Sequence, residues 1–253
     1  MSSSAVMGSP AAPTPPAPGA APARRPPRGA GAPAGRRLPW LEPAVVTGGL
    51  IPLAVLAERA ATGALGANAI AEALNQLGLL ALVLLIASLA ATPLKLASGW
   101  TFPLRIRKAL GLLAFFYACA HFLLYVVLDQ GLDVRTLVED ITERPFILAG
   151  FVALLLLVPL AATSTARMLK RLGFARWKRL HRLVYVAAVL GVAHFFLRVK
   201  QDTTEPLIYA ALLALLLGAR AAHALATRVA GAPRGRGAPP ERAAAPRSDP
   251  PAP

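Results

Sequence analysis

The sequence predicts an all-α protein: a polytopic bundle of six transmembrane helices, with disordered tails at both ends. Three observations lead there. Of the 253 residues, 56% are hydrophobic and 15% charged, with a mean hydropathy of +0.55, whereas a soluble domain carries about 25% charged residues. Three runs, 73–94, 109–128 and 145–166, hold no Asp, Glu, Lys or Arg over 20 to 22 residues, and about 20 residues cross ~30 Å of hydrocarbon. The charges lie at the ends of the chain and between apolar runs, which excludes a soluble enzyme and a wholly disordered chain.

The first element, residues 1–37, is built from Ala, Pro, Gly, Ser and Arg with nine prolines. Proline removes backbone donors and nothing here can be buried, so the segment reads as a disordered cytoplasmic tail. A second tail of like composition is expected over 227–253. The membrane domain between them, 38–226, adds three weaker spans to the three clear ones. Span one, 38–57, includes Glu42; span five, 177–197, begins in a basic stretch; span six, 206–226, includes Arg220, which can snorkel to the interface. Five spans result if the proline-containing first segment lies along the interface.

Loop charge orients the bundle. Arg24, Arg25, Arg28, Arg36 and Arg37 precede span one; Lys95, Arg105, Arg107 and Lys108 follow span two; Arg167, Lys170, Arg171, Arg176, Lys178 and Arg179 follow span four. The loop after span three is acidic, with Asp129, Asp133, Glu139, Asp140 and Glu143 against Arg135 and Arg144. Basic loops stay inside, so both termini are expected in the cytoplasm. The net charge of +15 is thereby assigned to topology and membrane lipid rather than nucleic acid. Cys119 is the single cysteine, which excludes an internal disulfide or a cysteine-based metal site.

Four histidines are candidates for chemistry: His121 in span three, His181 and His194 in span five, His223 near the end of span six. Spans three and five run in the same direction. His121 falls ~4 Å and His194 ~10 Å to the periplasmic side of their midpoints, and modest tilt brings them level. Two neutral imidazoles opposed across a bundle can be axial ligands of a b-type haem. Gly111, Ala114 and Ala118 near His121, with Ala187 and Gly191 near His194, would let a flat macrocycle approach, although small residues also serve helix packing. Tyr117 and Tyr125, four residues either side of His121, could line the cavity or be ordinary core aromatics. Arg198, four residues after His194, can meet a haem propionate or anchor the interface.

His181 lies ~20 Å lower than His194 on a straight helix and ~140° off its face. A second haem there would need a ligand 13 or 14 residues before His121, where Lys108 and Arg107 stand, and neither is a common haem ligand. His181 reads instead as lining a cytoplasmic-side site for a flavin, a quinone or a propionate, with Arg107 a further candidate contact. His223 reads as surface and Cys119 as a small buried residue. No Gly-rich phosphate loop followed by a βαβ pattern occurs, so no nicotinamide- or FAD-binding domain is expected within the chain.

The segments ATPLKL, RIRKALGLLAFFYACAHF, TSTARMLKRLGFARWKRLHRLVYVAAVLGVAHF and PLIYA resemble the MsrQ (YedZ) family. These are haem-binding membrane subunits of the MsrPQ protein-methionine-sulfoxide reductase system, within the ferric-reductase-like transmembrane superfamily. The resemblance covers about 38–226. It implies an inner-membrane, non-catalytic electron-transfer subunit with b-type haem and FMN. Its electrons would come from the respiratory quinone pool or a flavin reductase. They would pass to MsrP, the periplasmic molybdopterin subunit that repairs oxidised periplasmic proteins. His121, His181 and His194 match the family's three histidines, and His223 does not. The competing functions are a ferric or cupric reductase of the same superfamily and, from another class, a transporter or scaffold. The acidic loop, as a docking surface for a basic patch on the partner, completes the expectations.

Overall fold

The computed structural model describes residues 40–230. The tail expected over 1–37 lies outside them, as does the second tail beyond Ala230; residues 227–230 close the last helix instead. The described residues form helices and turns without a strand.

Among the described residues nine helices follow one another: α1 Leu41–Ala61, α2 Ala69–Ser98, α3 Phe102–Leu124, α4 Val134–Glu143, α5 Pro145–Ala162, α6 Ala166–Leu172, α7 Phe174–Leu180, α8 Leu183–Arg198 and α9 Thr204–Ala230. Within the described residues six segments are long and apolar enough to cross a membrane: α1, α2, α3 with its extension to Asp129, α5, α7 with α8, and α9. The chain is a multi-pass membrane protein. Segment one is a 21-residue helix that is long and apolar enough to cross, which makes it the sixth candidate span.

The first departure from expectation lies in span five, which is not one straight helix. α7 ends at Leu180, and His181 and Arg182 form a turn before α8 begins at Leu183. The amides of Arg182 and Tyr185 reach back three residues, to the carbonyls of Arg179 and Arg182. The tighter turn changes the helix phase, so the angle reckoned between His181 and His194 on a straight helix does not apply. A second irregularity follows α3, where Tyr125–Asp129 is one π-helical turn closed by Gln130 N–H on the Tyr125 carbonyl at 2.9 Å. Such turns redirect side chains near functional sites.

α2 packs chiefly on α3 and α5 chiefly on α8, with α9 against α8 and α2. Leu82, Leu85, Ile86 and Leu89 of α2 interlock with Ala114, Leu157, Ala187, Ala188 and Leu213. Lipid is as apolar as leucine, so close approach at small residues rather than hydrophobic segregation holds such helices together. Exposed Leu50, Ile51, Leu123, Leu155 and Leu215 give the outward faces their apolar character.

Arg220 departs from its expected snorkelling. Pro93 interrupts α2 and has no N–H for the carbonyl of Leu89 one turn back. Arg220 Nη2 of α9 donates to that carbonyl at 2.6 Å, and Nη1 to Tyr185 Oη at 2.9 Å. In a membrane interior each unpaired backbone group costs several kcal/mol, so the arginine repairs a defect that proline makes.

Candidate functional site

His121 of α3 and His194 of α8 face each other, with ring centroids 6.1 Å apart and planes 81° from parallel. Each ring is fixed from behind. His121 Nδ1 is 2.9 Å from the carbonyl oxygen of Leu74 on α2, and His194 Nδ1 is 2.6 Å from that of Phe146 on α5. A carbonyl only accepts, so both Nδ1 atoms carry the proton and both Nε2 atoms keep a lone pair. This is the ligand geometry in which a backbone acceptor sets the tautomer and the ring orientation.

Both imidazoles line a cavity of about 310 Å³. Ala114, Ala118, Ala187 and Gly191 line it as well, whereas Gly111 packs beside Ser88 Oγ instead. Tyr125 lines the cavity; Tyr117 is fully buried elsewhere and donates to the Gly49 carbonyl at 2.6 Å. Two glycines behind the rings were not anticipated from the sequence. A Cβ on Gly150 would stand 2.7 Å from His194 Nδ1, and one on Gly78 would stand 3.2 Å from His121 Nδ1. An isolated glycine in a leucine-rich helix is the signal that could have found them, because it costs ~1 kcal/mol against alanine.

The ligand set decides what could bind. Among the described residues no group of three or more His, Cys, Asp or Glu side chains could hold a bare metal ion. Two imidazoles suffice only for a metal that brings its other ligands along, as in a macrocycle. The two rings stand 6.1 Å apart, centroid to centroid, on a cavity whose walls include the small residues Ala114, Ala118, Ala187 and Gly191, a donor set and lining of the kind such a group needs.

Arg198 lies at the cavity's edge beside Phe195, as does Arg144. These are the cavity's two cationic side chains besides its histidines, and Asp129 is its one acid. Asp140, expected on the docking surface, is 6% exposed and turned inward, accepting from Tyr125 Oη at 2.7 Å and pairing with Arg144 Nε at 3.0 Å. A carboxylate so engaged is withdrawn from any partner. Asp129, Asp133 and Glu139 stay exposed.

His181 does not line this cavity. Its ring stacks on Trp177 at 3.9 Å, and its Nε2 is 3.1 Å from Thr163 Oγ1. Trp177 Nε1 donates to the Thr163 carbonyl at 3.0 Å. Arg107 is close enough for its charge to act on His181, Arg220 and Tyr185. Together these residues form a second, cationic cluster at the opposite, basic end of the bundle. His223 is exposed and Cys119 half-buried without a disulfide partner.

The family model described as "Ferric reductase like transmembrane component" matches residues 76–192, a stretch that includes His121 and His181 and stops short of His194. Similar proteins are the heme-binding subunits MsrQ of protein-methionine-sulfoxide reductase from three bacteria. The one from Rhodospirillum rubrum is 53% identical over 188 residues, covering 74% of this chain and 90% of that protein. The one from Deinococcus radiodurans is 52% identical over 177 residues, covering 70% and 87%. The one from Ralstonia nicotianae is 47% identical over 173 residues, covering 68% and 80%. With relatives about half identical over most of their length, the chain belongs to the MsrQ family of ferric-reductase-like transmembrane proteins.

Proposed function

We propose that this chain holds a b-type haem between His121 and His194 and carries electrons across the bacterial inner membrane to a periplasmic molybdopterin methionine-sulfoxide reductase, MsrP. The observation that carries the reading is the pair of opposed imidazoles whose Nδ1 atoms are both committed to backbone carbonyls. Haem, when bound, supplies one-electron chemistry at a potential set by its axial ligands and surroundings.

The protein's own residues do the rest. Leu74 and Phe146 carbonyls hold the two rings in the tautomer that offers Nε2. Gly78 and Gly150 leave those rings space to stand. Ala114, Ala118, Ala187 and Gly191 form a close apolar wall that excludes water. Arg198 balances carboxylate charge at the mouth. A haem held by both His121 and His194 would be suited to electron transfer rather than to oxygen binding.

The excess of Lys and Arg in the loops at the Arg107–His181 end supports a reading in which that end and both termini lie in the cytoplasm and the acidic loop in the periplasm. Quinol from the bilayer, or a flavin reductase, is the donor. FMN is assigned to the cytoplasmic cluster, where the Arg107 guanidinium would meet its phosphate and His181 its ring. The exposed Asp129, Asp133 and Glu139 are the partner-facing charges. The test is cofactor analysis of the purified full chain. Low-spin b-type bands with extractable flavin are expected, flavin being reduced in Arg107→Gln; a folded protein without haem overturns the reading.

A further inference from the structure

α4 is amphipathic and its one buried residue is Asp140. A buried carboxylate is costly unless its oxygens are paired. Here one oxygen accepts from Tyr125 Oη, on the π turn that follows the His121 helix, and the other pairs with Arg144 Nε. The closest contact of that pair is through Nε, on an Arg144 side chain that is 57% exposed and lines the cavity. Arg198 reaches the same mouth from the last turn of α8, four residues beyond His194. Arg144 itself stands two residues before Phe146, whose carbonyl orients His194.

Resting on the haem reading above, we infer that Arg144 and Arg198 form a two-guanidinium clamp for the carboxylates of the macrocycle, and that Asp140 with Tyr125 positions Arg144 in that clamp. Guanidiniums bind carboxylates through paired, charge-assisted hydrogen bonds. An arginine held at Nε by one carboxylate still offers its terminal pair to another. Long side chains lose rotamer entropy when they bind, and Asp140 supplies that ordering before the ligand arrives. An i,i+4 ion pair serving only to staple α4 to α5 would not need its guanidinium on the cavity. Asp140 is a positioning residue in this account; Arg144 and Arg198 touch the ligand.

The experiment titrates full-length protein, produced without haem in detergent, with haem b and separately with haem b dimethyl ester, whose carboxylates are blocked. The rise of the low-spin spectrum reads binding. In the wild type the ester is expected to bind on the order of tenfold more weakly, the effect of losing charge-assisted hydrogen bonds. Arg144→Gln should weaken haem by a similar factor and leave the ester unchanged. Asp140→Ala should show the same selectivity, and the Asp140→Ala/Arg144→Gln double variant no further loss. Asp140→Asn, which keeps the side-chain shape if alanine loosens α4, should lose haem selectively but less. Equal losses for haem and ester in Arg144→Gln, or no loss for either, overturn the clamp. Equal losses in both Asp140 variants overturn the positioning role. No low-spin complex with either macrocycle in folded wild type defeats the proposed function itself.

Discussion

Substituting Gly150 by alanine adds one methyl group directly behind a ligand ring. Its Cβ would stand 2.7 Å from His194 Nδ1, 3.0 Å from Cε1 and 3.1 Å from Cγ. Non-bonded atoms rest at about 3.5–4.0 Å, so the ring must retreat by ~0.8 Å or more. The obstacle is a ring pinned by a 2.6 Å hydrogen bond to the Phe146 carbonyl, not the free end of a flexible chain. Overpacking of this kind costs about 1–3 kcal/mol, and a functional ligand tolerates a displacement of about 0.5 Å. Disturbing a partner that orients a metal ligand costs about 10–100-fold in affinity. Haem content of purified Gly150→Ala, read from its visible spectrum, should therefore fall at least tenfold. Gly78→Ala, with a nearest contact of 3.2 Å, should lose less. Gly48→Ala and Gly218→Ala, with nothing within 4 Å, should stay fully loaded and gain up to ~1 kcal/mol of helix propensity. A folded Gly150→Ala protein with unchanged low-spin bands would refute the reasoning.

Three further outcomes follow from the same contacts. Arg220→Met leaves the Leu89 carbonyl unpaired and should destabilise the bundle by about 1–3 kcal/mol in thermal unfolding. Adding Pro93→Ala, which restores the helical N–H, should recover most of that loss; an additive second loss would contradict the repair role. Asp133 caps α4 through the Arg135 and Thr136 amides and the Thr136 hydroxyl, and the Thr136 hydroxyl foremost holds its carboxyl below the ordinary value of 3.8. A depressed value stabilises above the unfolded-state titration and is lost as pH falls through the folded one. Amide protection of α4 should accordingly drop below pH 3.8, earlier than in the rest of the bundle, and Asp133→Ala should abolish that pH dependence. Reversing the exposed Asp129 and Glu139 to lysine should slow electron delivery to the partner at low salt, and an unchanged rate would remove the docking surface.

The membrane fold was legible because composition alone separates lipid from water. Apolar runs near 20 residues leave little choice of element, and the span ends lie within four residues of expectation except the start of span three, which begins at Phe102 rather than 109 because the helix runs on through the basic Arg105–Lys108 stretch. The opposition of His121 and His194 was also within reach, since parallel spans and a rise per residue place both near one level. What escaped belongs to contacts between distant segments. Gly78 and Gly150 are isolated glycines in leucine-rich helices, which marks them as positions with a reason, but that the reason is another helix's imidazole emerges only once α2 and α5 lie behind the rings. The turn at His181 carries neither Gly nor Pro to announce it. Asp140 looked like one more acid in an acidic loop; the π turn after α3 presents Tyr125 to it and turns it inward. Arg220 looked like an interfacial cation because its real partner, a carbonyl stranded by Pro93, lies 131 residues away in sequence.

The most direct measurement is the reduced-minus-oxidised visible spectrum of the purified protein, beside His121→Ala and His194→Ala. The account predicts sharp low-spin b-type bands in the wild type and their loss in each variant, with both variants still folded. Low-spin bands that survive either substitution would contradict the assignment of these two imidazoles as the axial pair.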